Sequence, residues 1–123
     1  MRVPYNLILD PPAPYLSVLV VNPYQPFSRI SLEAKLDTGA DLTALPESVI
    51  VNLALKQTAW LEVSGFAGTS MVPTYEAKVE VADYDIHLEI VGYSEEYALL
   101  GRDFLNHLRL LLDGPAQMLE VLE

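Results

Sequence analysis

Apolar and polar residues alternate over residues 28–36, where Ile30, Leu32, Ala34 and Leu36 are set against Arg29, Ser31, Glu33 and Lys35. A period of two is that of a strand with one buried face. The same period recurs over 72–82, where Val79 and Val81 oppose Lys78 and Glu80. It returns over 84–91, where Ile86, Leu88 and Ile90 oppose Asp85, His87 and Glu89. Shorter β-rich runs occupy 15–21 and 59–63. The second stops at Ser64-Gly65-Phe66-Ala67-Gly68, which reads as a glycine-punctuated hairpin tip. Helical spacing is confined to two places. Residues 45–55 open with Pro46, suited to the first turn of a helix, and residues 103–109 gather Phe104, Leu105 and Leu108 on one side after Gly101. Residues 110–112, the turn Asp113-Gly114-Pro115 and residues 117–122 predict a terminal hairpin. Pro4, Pro11, Pro12, Pro14, Pro23 and Pro26 crowd the first 26 residues. Proline removes a ladder donor, so that stretch predicts edge strands and turns. The pattern describes an all-β chain with one or two short helices.

Composition narrows the classes. The chain has 123 residues, 51% of them hydrophobic, which fits one domain over 1–123 and argues against disorder. It contains no cysteine and two histidines, which leaves no disulfide framework, no thiol nucleophile and no thiolate or all-histidine metal site. No metal or cofactor is expected. No apolar run reaches the ~18 residues of a membrane span, and the start lacks a signal-peptide pattern. The expectation is a cytoplasmic protein without a membrane partner. The formal net charge of −10 opposes nucleic-acid binding. Residues 61–123 hold twelve acids, and only Lys78, Arg102 and Arg109 balance that half. Such a half either attracts basic partners or keeps the protein in solution.

One segment carries candidate chemistry. The strand at 28–36 ends in Asp37-Thr38-Gly39-Ala40-Asp41. Alone, this is an ordinary turn composition. Further along, the apolar run Ala98-Leu99-Leu100 leads into Gly101-Arg102-Asp103 and a short helix, and the glycine-tipped hairpin lies between the two. This ordered set, over about 28–113, resembles the retropepsins, the retroviral-type aspartic proteases, and especially their single-domain relatives encoded in cellular genomes.

The resemblance implies a closed β-barrel or sandwich working as a homodimer on polypeptide substrates. Asp37 would be the catalytic carboxylate. Thr38 would bond across the dimer axis, and Gly39 and Ala40 would support the loop against the substrate backbone. Arg102 would pair with Asp41 in a largely buried ion pair. Gly65, Phe66, Ala67 and Gly68 would form the tip of a flap. The sequence holds one Asp-Thr-Gly and no second Asp-[Thr/Ser]-Gly, so a complete site needs two copies. Two neighbouring carboxylates share a proton and supply acid and base together, the arrangement known for aspartic proteases. Strand addition is the expected mode of substrate binding. Leu42, Val63, Phe66 and Leu99 are the expected pocket residues, and the apolar segments 7–9 and 118–122 the expected strands between subunits.

The chain departs from compact viral relatives in a longer, proline-rich start, an extended C-terminus and fewer flap glycines. Two rival classes remain: a catalytically inactive dimeric peptide-binding module of the same fold, and a small β-barrel scaffold that binds unfolded peptide. Other residues offer less. His87 and His107 occupy solvated positions, Ser48, Ser64 and Ser94 lack a nucleophile signature, Trp60 reads as a core residue, and Asp83-Tyr84-Asp85 is no calcium loop.

Overall fold

The computed structural model describes residues 1–65 and 67–123; Phe66 lies outside them, and with it the flap-tip and pocket roles expected of that residue. The chain opens with β1 (Arg2–Pro4), then runs through β2 (Tyr15–Asn22), β3 (Gln25–Leu36), β4 (Ala44–Pro46), α1 (Glu47–Asn52), β5 (Gln57–Gly65), β6 (Gly68–Val81) and β7 (Tyr84–Tyr93). It closes with β8 (Ala98–Leu100), α2 (Arg102–Leu105), β9 (Arg109–Asp113) and β10 (Met118–Leu122).

Six strands close a ring in the order β2-β3-β8-β4-β7-β6, because β6 also pairs with β2. The 14-residue β6 makes that closure possible. Its second half lies between β7 and β2, while its first half pairs with β5 to form the arm of a long hairpin. The ring encloses Leu16, Val18, Val20, Val79, Ile90 and Leu100, each 2% exposed or less. Alternation built these walls: Ala77, Val79 and Val81 are buried, while Lys78 and Glu80 on the opposite face lie beside Asp85 of β7. On that outer face His87 reaches Glu76 at 3.2 Å.

Four expectations need correction. The strand at 15–21 is no edge: β2 is paired by β3 and β6 and nearly wholly buried, since its flanking prolines stay outside the ladder. Pro46 does not open the helix interior. It is the last residue of β4, extended at ψ 137°, because parallel pairing with Tyr93 holds it, and α1 is only six residues long. The second helix stops at Leu105 rather than 109, since Arg109 already pairs with Leu122 in the next sheet. Trp60 is 60% exposed on the hairpin arm rather than in the core.

The terminal hairpin forms, and β1 joins it to make a separate sheet in the order β1-β10-β9. Its inner face seats Leu119 and Val121 against the barrel core. Residues 118–122 therefore cannot serve as a strand between subunits, because both edges of β10 are filled by the same chain. Residues 7–9 form no strand; they lie in a turn and bend where Leu7 and Ile8 are 65% and 92% exposed.

Candidate active site

The two motifs meet because β3 and β8 run in parallel. Ala34, Lys35 and Leu36 pair with Ala98, Leu99 and Leu100, so both strands end at the same level. Asp37 is the next residue on one side and Gly101 the next on the other. The Asp37 amide donates to the Leu100 carbonyl at 3.0 Å, which carries the ladder one step into the loop. Beyond that step the loop closes on its own acid. The Gly39 amide donates to Asp37 Oδ1 at 2.9 Å, and the Ala40 amide to the Asp37 carbonyl at 3.2 Å. Asp37 is half-buried, while Thr38 and Gly39 face solvent. A Cβ on residue 39 would stand 3.2 Å from Asp37 Oδ1, so a bare glycine leaves that carboxylate oxygen room.

Arg102 clamps the loop from behind. Its Nη1 donates to the Thr38 carbonyl at 2.9 Å, its Nη2 donates to Asp41 Oδ1, and its own amide donates to the Ala40 carbonyl at 2.9 Å. Arg102 and Asp41 are thus joined, but in the open: their side chains are 45% and 83% exposed. The largely buried pair expected from the sequence is corrected accordingly. A planar fork suits this double duty, since one terminal nitrogen of the guanidinium serves a carbonyl and the other a carboxylate.

A second brace, which the sequence reading overlooked, joins Thr43 to Asp103. The Thr43 amide and hydroxyl donate to the two carboxylate oxygens of Asp103 at 3.0 and 2.8 Å, and the Gly101 amide donates to the Thr43 hydroxyl oxygen at 3.2 Å. Asp103 also accepts the Phe104 amide at 2.8 Å within the first turn of α2. Thr43 is fully buried with its donors and acceptor used. The available signal was an acid two residues after Gly101, where a helix begins and carboxylates take up free amides. Gly101 itself has no room for a side chain: a Cβ there would sit 2.6 Å from the backbone of Leu42.

A groove of about 480 Å³ lies beside this junction, lined by Asp41, Leu42, Leu61, Glu62, Val63, Ser64 and Val91. Four consecutive residues of β5 line it, so the hairpin arm presents its length to the loop. Leu42 and Val63, two of the expected pocket residues, are in the lining. Leu99 is not in the lining, and Asp41, Leu61, Glu62, Ser64 and Val91 are additions. Gly65 and Gly68 end the two hairpin strands as a paired position, and Ala67 is exposed. Tyr15, Tyr93 and Tyr97 pack behind the site, where burial pushes the Tyr93 hydroxyl well above its ordinary range. Among the described residues, no three His, Asp or Glu groups are arranged to hold a metal ion, and no helix is long and apolar enough to cross a membrane.

Comparison with known proteins gives a consistent result. The family model for retroviral aspartyl protease matches residues 12–113. The protease of simian foamy virus (mac), solved in solution, is similar over 76% of this chain and 92% of its own, with 17% identity and a TM-score of 0.58. The EIAV protease complexed with the inhibitor HBY-793 is similar over 85% of this chain and 93% of its own, with 22% identity and a TM-score of 0.60. A foamy viral protease-reverse transcriptase in complex with an RNA/DNA hybrid matches over 76% of this chain but only 12% of that longer one, with 17% identity and a TM-score of 0.57. Among curated proteins there is no match.

Proposed function

The chain belongs to the retroviral aspartyl protease family, and on that premise we propose that it is an aspartic endopeptidase whose site forms from Asp37 of two subunits. One observation carries the reading: the Asp37 carboxylate is fixed by its own loop amide, and that loop is locked to Leu100, Arg102 and Asp103 while its tip stays open to solvent. This is the build of a preorganised acid rather than of a structural turn.

Two such loops facing across a twofold axis place two carboxylates in contact. They share one proton and titrate as a unit. The ionised member takes a proton from water as the hydroxyl adds to the scissile carbonyl. The protonated member donates to the carbonyl oxygen, and collapse of the tetrahedral intermediate sends a proton to the leaving nitrogen. No bond to the enzyme forms. Thr38 at the exposed tip would reach its counterpart across the axis, and the residue 65–68 turn would act as the flap. An extended peptide would lie in the groove along β5, its side chains alternating between pockets lined by Leu42, Leu61, Val63 and Val91. One domain over 1–123 and a cytoplasmic setting are part of the same reading.

The test is peptide hydrolysis by purified protein across pH and across a dilution series, beside Asp37→Asn. Specific activity is expected to follow the dimer fraction, with a bell-shaped pH profile, and to vanish in Asp37→Asn. Binding of peptide without cutting, unchanged in Asp37→Asn, would replace the enzyme by a peptide-binding module.

A further inference from the structure

The hairpin arm leaves the barrel at a definable place. Thr74 pairs with Ala59 of β5 on one side and Val91 of β7 on the other, whereas Pro73 and the residues of β6 before it pair with β5 alone. At the same level the register of β5 shifts between Gln57 and Ala59, and Pro73 has no amide to give the ladder opposite Trp60. Beneath that root lies a second cavity, of about 180 Å³, which shares no lining residue with the groove beside Asp37. Ile50 and Val51 of α1, Val72, Pro73 and Tyr75 of β6 and Gly92 of β7 enclose it. Glu47, in the first turn of α1, is the one charged group in its lining.

Volume, backbone and charge together say what would occupy this space. An apolar cavity of about 150 Å³ takes benzene, so this one has room for a single ring and a short tail. Gly92 stands inside the pairing of β7, opposite Leu45 of β4. A glycine within a strand packs nothing itself and often marks the close approach of a ligand. A Cβ at that position would stand 3.0 Å from Ile50 Cδ1 and 3.2 Å from Glu47 Cγ, so the bare backbone keeps the wall of the cavity clear. Among the described residues no cation lies within 4 Å of the Glu47 carboxylate. Lys78 and Arg102 are engaged with other acids, and Lys56 lies over the Tyr24 ring at 5.1 Å. A carboxylate at the rim of an apolar hollow, on a chain of net charge −10, favours a cation and turns away anions.

We infer that this cavity binds a small organic cation, an amine or guanidinium carried on an apolar body of about one ring. The charged end lies on Glu47 and the body against Ile50, Val72 and Pro73. An occupant seated there touches α1 and the root of the arm at once, and so ties the hairpin to the barrel.

The inference stands apart from the chemistry at Asp37, and its test reads binding rather than cutting. Phenethylamine and 2-phenylethanol share a shape and differ in the charge at one end. Followed by amide chemical shifts of the purified chain, phenethylamine is expected to saturate one site centred on Val51, Val72 and Gly92. It should bind at least about tenfold tighter than the alcohol. Glu47→Gln, at an exposed position, leaves the cavity intact and is expected to abolish that preference. Gly92→Ala puts a methyl into the wall and is expected to abolish saturable binding of both probes. Should Gly92→Ala fail to fold, Glu47→Gln still decides the case. With phenethylamine bound, hydrogen exchange of the amides of residues 59–63 and 69–72 is expected to slow at least about twofold. Equal binding of the two probes, a preference that survives Glu47→Gln, or saturable binding by folded Gly92→Ala would overturn the site. Binding that leaves exchange in the arm unchanged would overturn its tie to the hairpin.

Discussion

The junction that carries Asp37 and the hairpin arm that faces it across the groove are built on opposite plans. In the junction, β3, β8 and α2 are tied by backbone pairing, by the Arg102 clamp and by the Thr43–Asp103 brace, and Gly101 is pressed against the Leu42 backbone. In the hairpin, residues 59–65 and 68–74 pair chiefly with one another, and Trp60 and Met71 stand 60% and 57% exposed. One region is over-determined and the other held along a single seam. Local stability follows such differences in packing and pairing. A hydrolytic site needs both, because the acid must not move while the chain it cuts must enter and leave.

The comparison breaks most sharply at Asp37. Asp37→Asn keeps the shape of the loop and removes the ionisable group, so peptide hydrolysis should fall by at least about a thousandfold with the thermal transition retained. Activity surviving in highly purified Asp37→Asn would end the assignment. Gly101→Ala comes next. The added methyl has to displace the Leu42 backbone, and overpacking of this kind costs about 1–3 kcal/mol, measurable by urea denaturation. Asp103→Ala strands the amide and hydroxyl of buried Thr43 and should cost about 2 kcal/mol, with a loss in kcat larger than any change in KM.

Arg102→Lys sharpens the contrast within the junction. An exposed ion pair contributes about 1 kcal/mol or less, so unfolding should shift little, yet Lys cannot serve Thr38 and Asp41 together. The expected signature is reduced kcat at nearly native stability. Equal losses in both would show the guanidinium to be a structural support. The smallest effect is expected on the hairpin, where Trp60→Ser should change stability by no more than about 0.5 kcal/mol and register, if anywhere, in KM.

The strands that alternate strictly were legible from the residues alone. The alternation at 28–36, 72–82 and 84–91 became β3, β6 and β7, because a closed ring buries one face of each wall. What escaped was pairing between distant segments. Nothing in the composition of Ala98-Leu99-Leu100 says that it lies parallel to Ala34-Lys35-Leu36, and three-residue elements such as β1 and β4 are too short to carry a period. Pro46 misled because the sequence signal for a helix start does not reveal a strand ending at the same residue. The Asp37 and Arg102 motifs stood out by resemblance, whereas Thr43 and Asp103 did not: their partnership exists only after the fold brings them together. The exposure of the Arg102–Asp41 pair was likewise invisible, since burial is a property of neighbours rather than of the residues themselves.

Register also has a meaning in time. Hairpins such as β5–β6 and β6–β7 join neighbours in the chain and close small loops, which is quick; the Arg102–Thr38 contact closes one of 64 residues. The loop bearing Asp37 is made before residues 98–103 and cannot be locked until they have followed it. A chain of this design therefore carries an unformed acid site until residues 98–103 have been made, and on the proposed function it is inert up to that point.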